Sequence, residues 1–142
     1  MCRSILFLVA LPLFSGFQRN PDREQMKEFL QVLEKAAVHS YDKQMKDCPK
    51  EDWFVRRAGL FFRDHVTDID RYLATKPKLT PYCRAMVDDL RRISLEETEL
   101  FEGLVAQKRF KLTDEENKRK TELHNEYIEK IAEIGKYIDG IE

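Results

Sequence analysis

The sequence predicts an all-α fold, an antiparallel bundle of four or five amphipathic helices that follows an N-terminal signal peptide. Three observations carry this. Apolar side chains return every three or four positions over most of the chain, which puts them on one face of a helix. Period-two alternation of Val, Ile and Thr, from which a sheet would be built, is missing. Five Gly and five Pro in 142 residues leave few tight turns, so the elements between them are long. With 42 % hydrophobic and 36 % charged residues, the chain is too apolar for disorder and charged enough to solvate long helix faces. Its length suits one domain, residues 18–142, around a single modest core.

Residues 1–17 read as the signal peptide. Arg3 supplies the positive start, Ile5 to Phe14 form an apolar run interrupted by Pro12, and small residues follow at Ser15 and Gly16. The run is about half of the roughly 20 residues a membrane-crossing helix needs. The expected product is therefore secreted and extracellular, with no membrane span.

Asn20 and Pro21 open the first helix: Asn caps free amides, and Pro has the right φ for the first helical position. Its stripe is Met26, Phe29, Leu30, Leu33, Ala36 and Ala37, continued by Tyr41 and Met45 to about Lys46. Cys48 and Pro49 break the pattern, because the residue before a proline is pushed out of the helical region. From Lys50 a second stripe runs through Phe54, Ala58, Phe61, Phe62, His65, Ile69, Tyr72 and Leu73, with Trp53 at its start. Thr80 and Pro81 repeat the cap-then-proline signal and open a third stripe: Cys83, Met86, Val87, Leu90, Ile93, Phe101, Leu104 and Val105. Glu97 is the one charged position on it. Ser94 and Glu97 have capping-box spacing, which could split this segment in two; a bend rather than a full stop is expected there. Thr113 and Glu116 have the same spacing and open the fourth helix, with Asp114 and Glu115 favoured by the helix dipole. Asp114 to Glu122 is almost wholly charged and is expected in solvent, ahead of an apolar stripe from Leu123 to Ile138.

Two cysteines, Cys48 and Cys83, remain after removal of the signal peptide. Export suggests a disulfide between them, but an unbroken second helix of about 24 residues would hold its ends about 36 Å apart, and a disulfide needs Cα atoms within about 7 Å. An intramolecular bridge requires a break in that helix, with Gly59 the candidate, or a connection that folds back. An intermolecular bridge and two free thiols are the other options.

Formal net charge is −1, with 25 basic and 26 acidic side chains interleaved, so no field recruits a polyanion and no nucleic-acid partner is expected. No glycine-rich phosphate loop, nucleophile elbow or calcium loop occurs, and no Ser or Thr has an adjacent activating base, so catalysis is not expected. For a divalent cation, the candidates are Asp64, His65 and Asp68 within one helical turn. A second carboxylate set is Asp114, Glu115 and Glu116, with Glu96, Glu97, Glu99 and Glu102 upstream. Trp53, Phe54, Phe61, Phe62 and Tyr72 crowd one helix and could line an apolar site, although core packing explains the same stripe.

An apolar helix end at Leu104 and Val105, then Lys108, then Leu112, Thr113 and Glu116 opening a charged helix that reaches Leu123, resembles nematode secreted proteins of the SXP/RAL family. The likeness spans Leu100 to Leu123. It implies an exported helical domain in which residues near Thr113 to Glu116 lie by a cation, with no catalysis. The expected function is thus non-enzymatic: binding of an extracellular protein partner or a divalent cation through the surface, or carriage of a lipid or other apolar small molecule.

Overall fold

The computed structural model describes residues 20–47, 53–75 and 78–140; for residues 40–47 it describes the backbone alone. The signal-peptide segment and Cys48 lie outside the described residues. Four helices occur among the described residues: α1 (Pro21–Asp47), α2 (Trp53–Thr75), α3 (Pro81–Ala106) and α4 (Asp114–Asp139). None is long and apolar enough to cross a membrane.

The starts are set by side chains that take up orphan amides. Asn20 Oδ1 accepts from the Asp22 amide at 3.0 Å. Thr80 accepts from the Cys83 amide at 3.4 Å, with Pro81 in the first turn. Thr113 and Glu116 form a reciprocal capping box, the Thr113 amide donating to Glu116 at 2.8 Å and the Glu116 amide to Thr113 at 3.2 Å.

Cross-helix pairs give the direction of each neighbour. Phe29 of α1 meets Tyr72 of α2, while Asp70 and Arg63 of α2 pair with Arg91 and Glu102 of α3. Asp89 and Glu126 join α3 to α4 through Lys130 and Arg92. Phe29 is early in α1 and Tyr72 late in α2, and in the other two helix pairs the partner's number falls as the residue's number rises, so successive helices run antiparallel. The α4 end returns to α1, where the Arg23 guanidinium lies against Gly140. Contacts follow the ring α1, α2, α3, α4, α1, the neighbour order of an up-and-down four-helix bundle.

The capping box that would split the third segment at Ser94 does not form. α3 is continuous, and Ser94 and Glu97 are both buried, facing the bundle interior. A capping box works at a free helix start, and here the preceding turn already supplies the partners of the backbone amides. Gly59 likewise does not break α2. It is buried where α3 crosses closely, and a Cβ at this position would sit 3.4 Å from Phe101 Cβ. The unbroken helix is about 33 Å long, which leaves a connection that folds back as the route for an intramolecular bridge from Cys48, itself outside the described residues; Cys83 is a buried free thiol.

Apolar packing falls into two clusters. Met26, Phe29, Leu33, Ile69, Tyr72, Met86, Leu90 and Ile134 fill one end of the bundle. Val55, Phe101 and Leu104, with Ala58, Phe62, Phe110 and Leu112 against them, fill the other. Between them α3 presents Ser94, Glu97 and Thr98 to the interior, and α2 presents His65, all buried.

The charged start of α4 is only partly in solvent. Asp114, Glu115, Asn117 and Lys118 are exposed, but Glu116, Arg119 and Lys120 are half-buried. Long side chains reach back: Arg119 pairs with Glu96 on α3, and Arg109 grips both oxygens of Glu116.

The turn before it holds a strained residue. Lys108 has φ 52°, in the left-handed region that costs a side-chain-bearing residue roughly 1–2 kcal/mol. Its amide bonds to the Val105 carbonyl and that of Arg109 to Leu104, the pairing of a Schellman end to α3. Lys108→Gly is expected to stabilise the protein by about 1 kcal/mol, read as a raised urea midpoint with an unchanged slope.

Candidate functional site

At the end of the bundle where α2 begins, the helices enclose a half-open cleft of about 680 Å³. That is within the roughly 300–1,000 Å³ of small-molecule sites. Among the described residues its wall comes from three helices. α2 contributes Trp53, Phe54, Arg57, Ala58, Phe61 and Phe62 at helical spacing. α3 supplies Glu97 and Phe101, one turn apart, and α4 supplies Lys120, Thr121 and His124 from one face.

The aromatic wall has defined geometry. Phe62 and Phe101 stack at 6.2 Å and 11°, Phe54 meets Phe101 edge-on at 6.0 Å, and Phe61 meets Phe62 edge-on at 5.2 Å. Two cations already use these ring faces. The Arg57 guanidinium lies 4.7 Å from the Trp53 centroid, and the Lys120 ammonium 5.6 Å from that of Phe54, both within cation–π range.

Glu97 sets the chemistry of the cleft. It is 2 % exposed, and its Oε1 has no hydrogen-bond partner among the described residues. Burial pushes its carboxyl up to about 8, so near neutrality it mostly keeps its proton. The neighbouring Tyr127 hydroxyl is pushed up to about 12 by burial and by the Glu97 carboxylate. His65, edge-on to Tyr127 at 6.1 Å, donates from Nδ1 to the Phe61 carbonyl at 3.0 Å. Burial holds its pKa below the usual value.

The five aromatic residues singled out by spacing therefore separate. Trp53, Phe54, Phe61 and Phe62 line the cleft. Tyr72 packs in the opposite apolar cluster, where its hydroxyl donates to the Gln25 carbonyl at 2.8 Å. It lies nearly three turns beyond Phe62, too far along α2 to reach the same site.

The cation candidates are dispersed as well. His65 of the Asp64, His65 and Asp68 set is turned inward, and Asp68 accepts from Arg71 at 3.1 Å. Of Asp114, Glu115 and Glu116, the last is taken by the capping box and by Arg109, whose hydrogen bonds hold its carboxyl below the usual range. Glu96 pairs with Arg92 and Arg119, and Glu102 with Arg63, on different sides of α3. Among the described residues, no three His, Cys, Asp or Glu side chains converge on a point that could hold a metal ion.

Sequence reasoning did not foresee the parts contributed by α3 and α4. One signal was present: Glu97 is the lone charge on an otherwise apolar stripe, the pattern a buried carboxyl produces. Lys120, Thr121 and His124 carried no signal, because they sit in a charged run that is read as solvated. No protein-family model, curated protein or solved structure matches the chain.

Proposed function

We propose that this chain is an exported, non-enzymatic carrier of an apolar small molecule, bound in the cleft between α2, α3 and α4. The observation that carries the reading is the aromatic wall of a site of about 680 Å³. A core built for stability alone would close such a gap, since each unfilled volume forfeits dispersion contacts. Here Phe54 remains half exposed beside it. Removal of residues 1–17 on export belongs to this reading and agrees with the exported helical domain that the SXP/RAL resemblance implies. Binding of a protein partner or a divalent cation at the surface has no comparable observation behind it.

N-phenyl-1-naphthylamine, a neutral apolar fluorophore, is a suitable probe, because Trp53 is the only tryptophan and lies on the wall. Saturable binding at one probe per chain is expected, with quenching of Trp53 by energy transfer. Ala58→Trp, which fills the cleft, is expected to weaken it at least tenfold while the helical circular dichroism is retained. Absence of saturable binding, or indifference to Ala58→Trp in a folded variant, would remove the reading.

A further inference from the structure

We infer that the occupant of the cleft is an apolar molecule bearing a protonated amine, whose N–H groups are taken by the buried carboxyl of Glu97 while its body lies against the aromatic wall. The inference rests on the carrier reading and specifies its ligand class. Three observations lead to it. Glu97 lines the cleft, is 2 % exposed and leaves Oε1 without a partner among the described residues. A buried polar atom left unpaired forfeits its hydration without recompense, and native structures rarely leave one without cause. A ligand donor placed in the cleft removes that cost.

The second observation is the wall. Phe61, Phe62 and Phe101 line the same cleft as the carboxyl and meet one another edge-on and stacked. Aromatic faces attract ammonium groups, most strongly where water is excluded. The third is that Trp53 and Phe54 in this structure already hold cations, Arg57 and Lys120, over their rings. An ammonium group against these walls meets an environment the protein uses twice at the rim.

Other charges near Glu97 must be weighed. Arg57 from α2, and Lys120 and His124 from α4, share the cleft, and Tyr127 of α4 lies close to the carboxyl, with His65 of α2 edge-on to its ring. Arg57 and Lys120 are partly exposed to water, where their repulsion is screened. The Glu97 carboxyl is out of water and acts in a lower dielectric. Proximity of opposite charge then favours its ionised form. Binding the ammonium transfers the Glu97 proton to solvent: the carboxyl O–H breaks heterolytically, and the ligand keeps its own three N–H bonds as donors.

The test compares three eight-carbon probes, octylamine, octanol and octanoate, on the purified protein at pH 7. Trp53 fluorescence and titration calorimetry are read in Tris and in phosphate. Octylamine is expected to bind at least tenfold more tightly than octanol. Its enthalpy should depend on the buffer's own ionisation enthalpy, reporting release of close to one proton per ligand. In Glu97→Gln, with the helical circular dichroism retained, the preference for octylamine over octanol and the proton release are both expected to vanish. Equal affinities for octylamine and octanol, or a preference that survives Glu97→Gln, overturn the inference and leave the carrier reading intact. Tightest binding of octanoate overturns it too and assigns the head group to Arg57 and Lys120. If N-phenyl-1-naphthylamine and all three probes fail to bind, the carrier reading itself falls.

Discussion

Glu97→Gln is expected to make the protein more stable than the parent above pH 8 and to flatten its stability between pH 5 and 8. The folded carboxyl holds its proton up to about pH 8 because burial penalises the charge, whereas the unfolded chain releases it near the ordinary value of about 4.5. Between those limits the native state binds more protons than the unfolded one, so stability falls as pH rises. The contribution is fully present below about 4.5 and is lost by about 8. One pKa unit is about 1.4 kcal/mol, so a loss on the order of 3–5 kcal/mol is expected across the window. Gln cannot ionise, so the variant should match the parent near pH 5 and exceed it by that amount near pH 9.

His65 acts at the other end of the scale. Its folded pKa is depressed by burial, so its stabilising contribution is present above about 6.5 and is lost as pH falls. It therefore opposes the Glu97 slope below about 6.5 and adds none between 7 and 8; being common to parent and variant, it cancels in their difference. Urea denaturation at pH 5, 7 and 9 on both proteins measures the effect. Parallel pH profiles for parent and variant would show that Glu97 is hydrated in the native state, contrary to the structure.

Phe29→Ala is expected to cost about 3–5 kcal/mol, the usual penalty for truncating a fully buried aromatic ring. Phe29 is fully buried and lies 5.1 Å from the Tyr72 ring, and Tyr72 in turn donates to the Gln25 carbonyl. Its removal opens a cavity where α1 docks on α2 and loosens the Tyr72 hydrogen bond. For a chain of this size the midpoint should fall by roughly 10–20 °C. Phe54→Ala is the matched control: Phe54 is 50 % exposed, and its loss is expected to cost about 1 kcal/mol. If the two truncations lower the melting temperature equally, the cluster around Phe29 is not the core that holds the bundle together.

Much of the fold was legible from local chemistry. The caps at Asn20, Thr80 and Thr113 set the helix starts that the structure contains, because capping needs only a side-chain oxygen two or three residues before a free amide. The stripes named the buried residues Met26, Phe29, Leu33, Ile69, Met86, Leu90 and Ile134, because a 3.6-residue period fixes which residues share a face. Ser94 shows the limit. Its spacing to Glu97 satisfies a capping box equally well at a helix start or on the buried face of a continuous helix, and only the packing of α3 in the bundle separates the two.

The candidate site was legible by halves for the same reason. Trp53, Phe54, Phe61 and Phe62 share a helix, so their adjacency is written in one stretch of sequence, whereas Tyr72 on the same stripe lies too far along α2 to join them. Glu97 stood out as a charge on an apolar face, but its burial depends on α2 and α4 closing over it. What the amino-acid sequence determined was a set of helices and the face each one hides, since both follow from contacts within a few residues. The tertiary structure alone decided that a carboxyl from α3 and side chains of α4 stand across a cleft from the rings of α2. That juxtaposition joins residues far apart in the chain, and no local period encodes it.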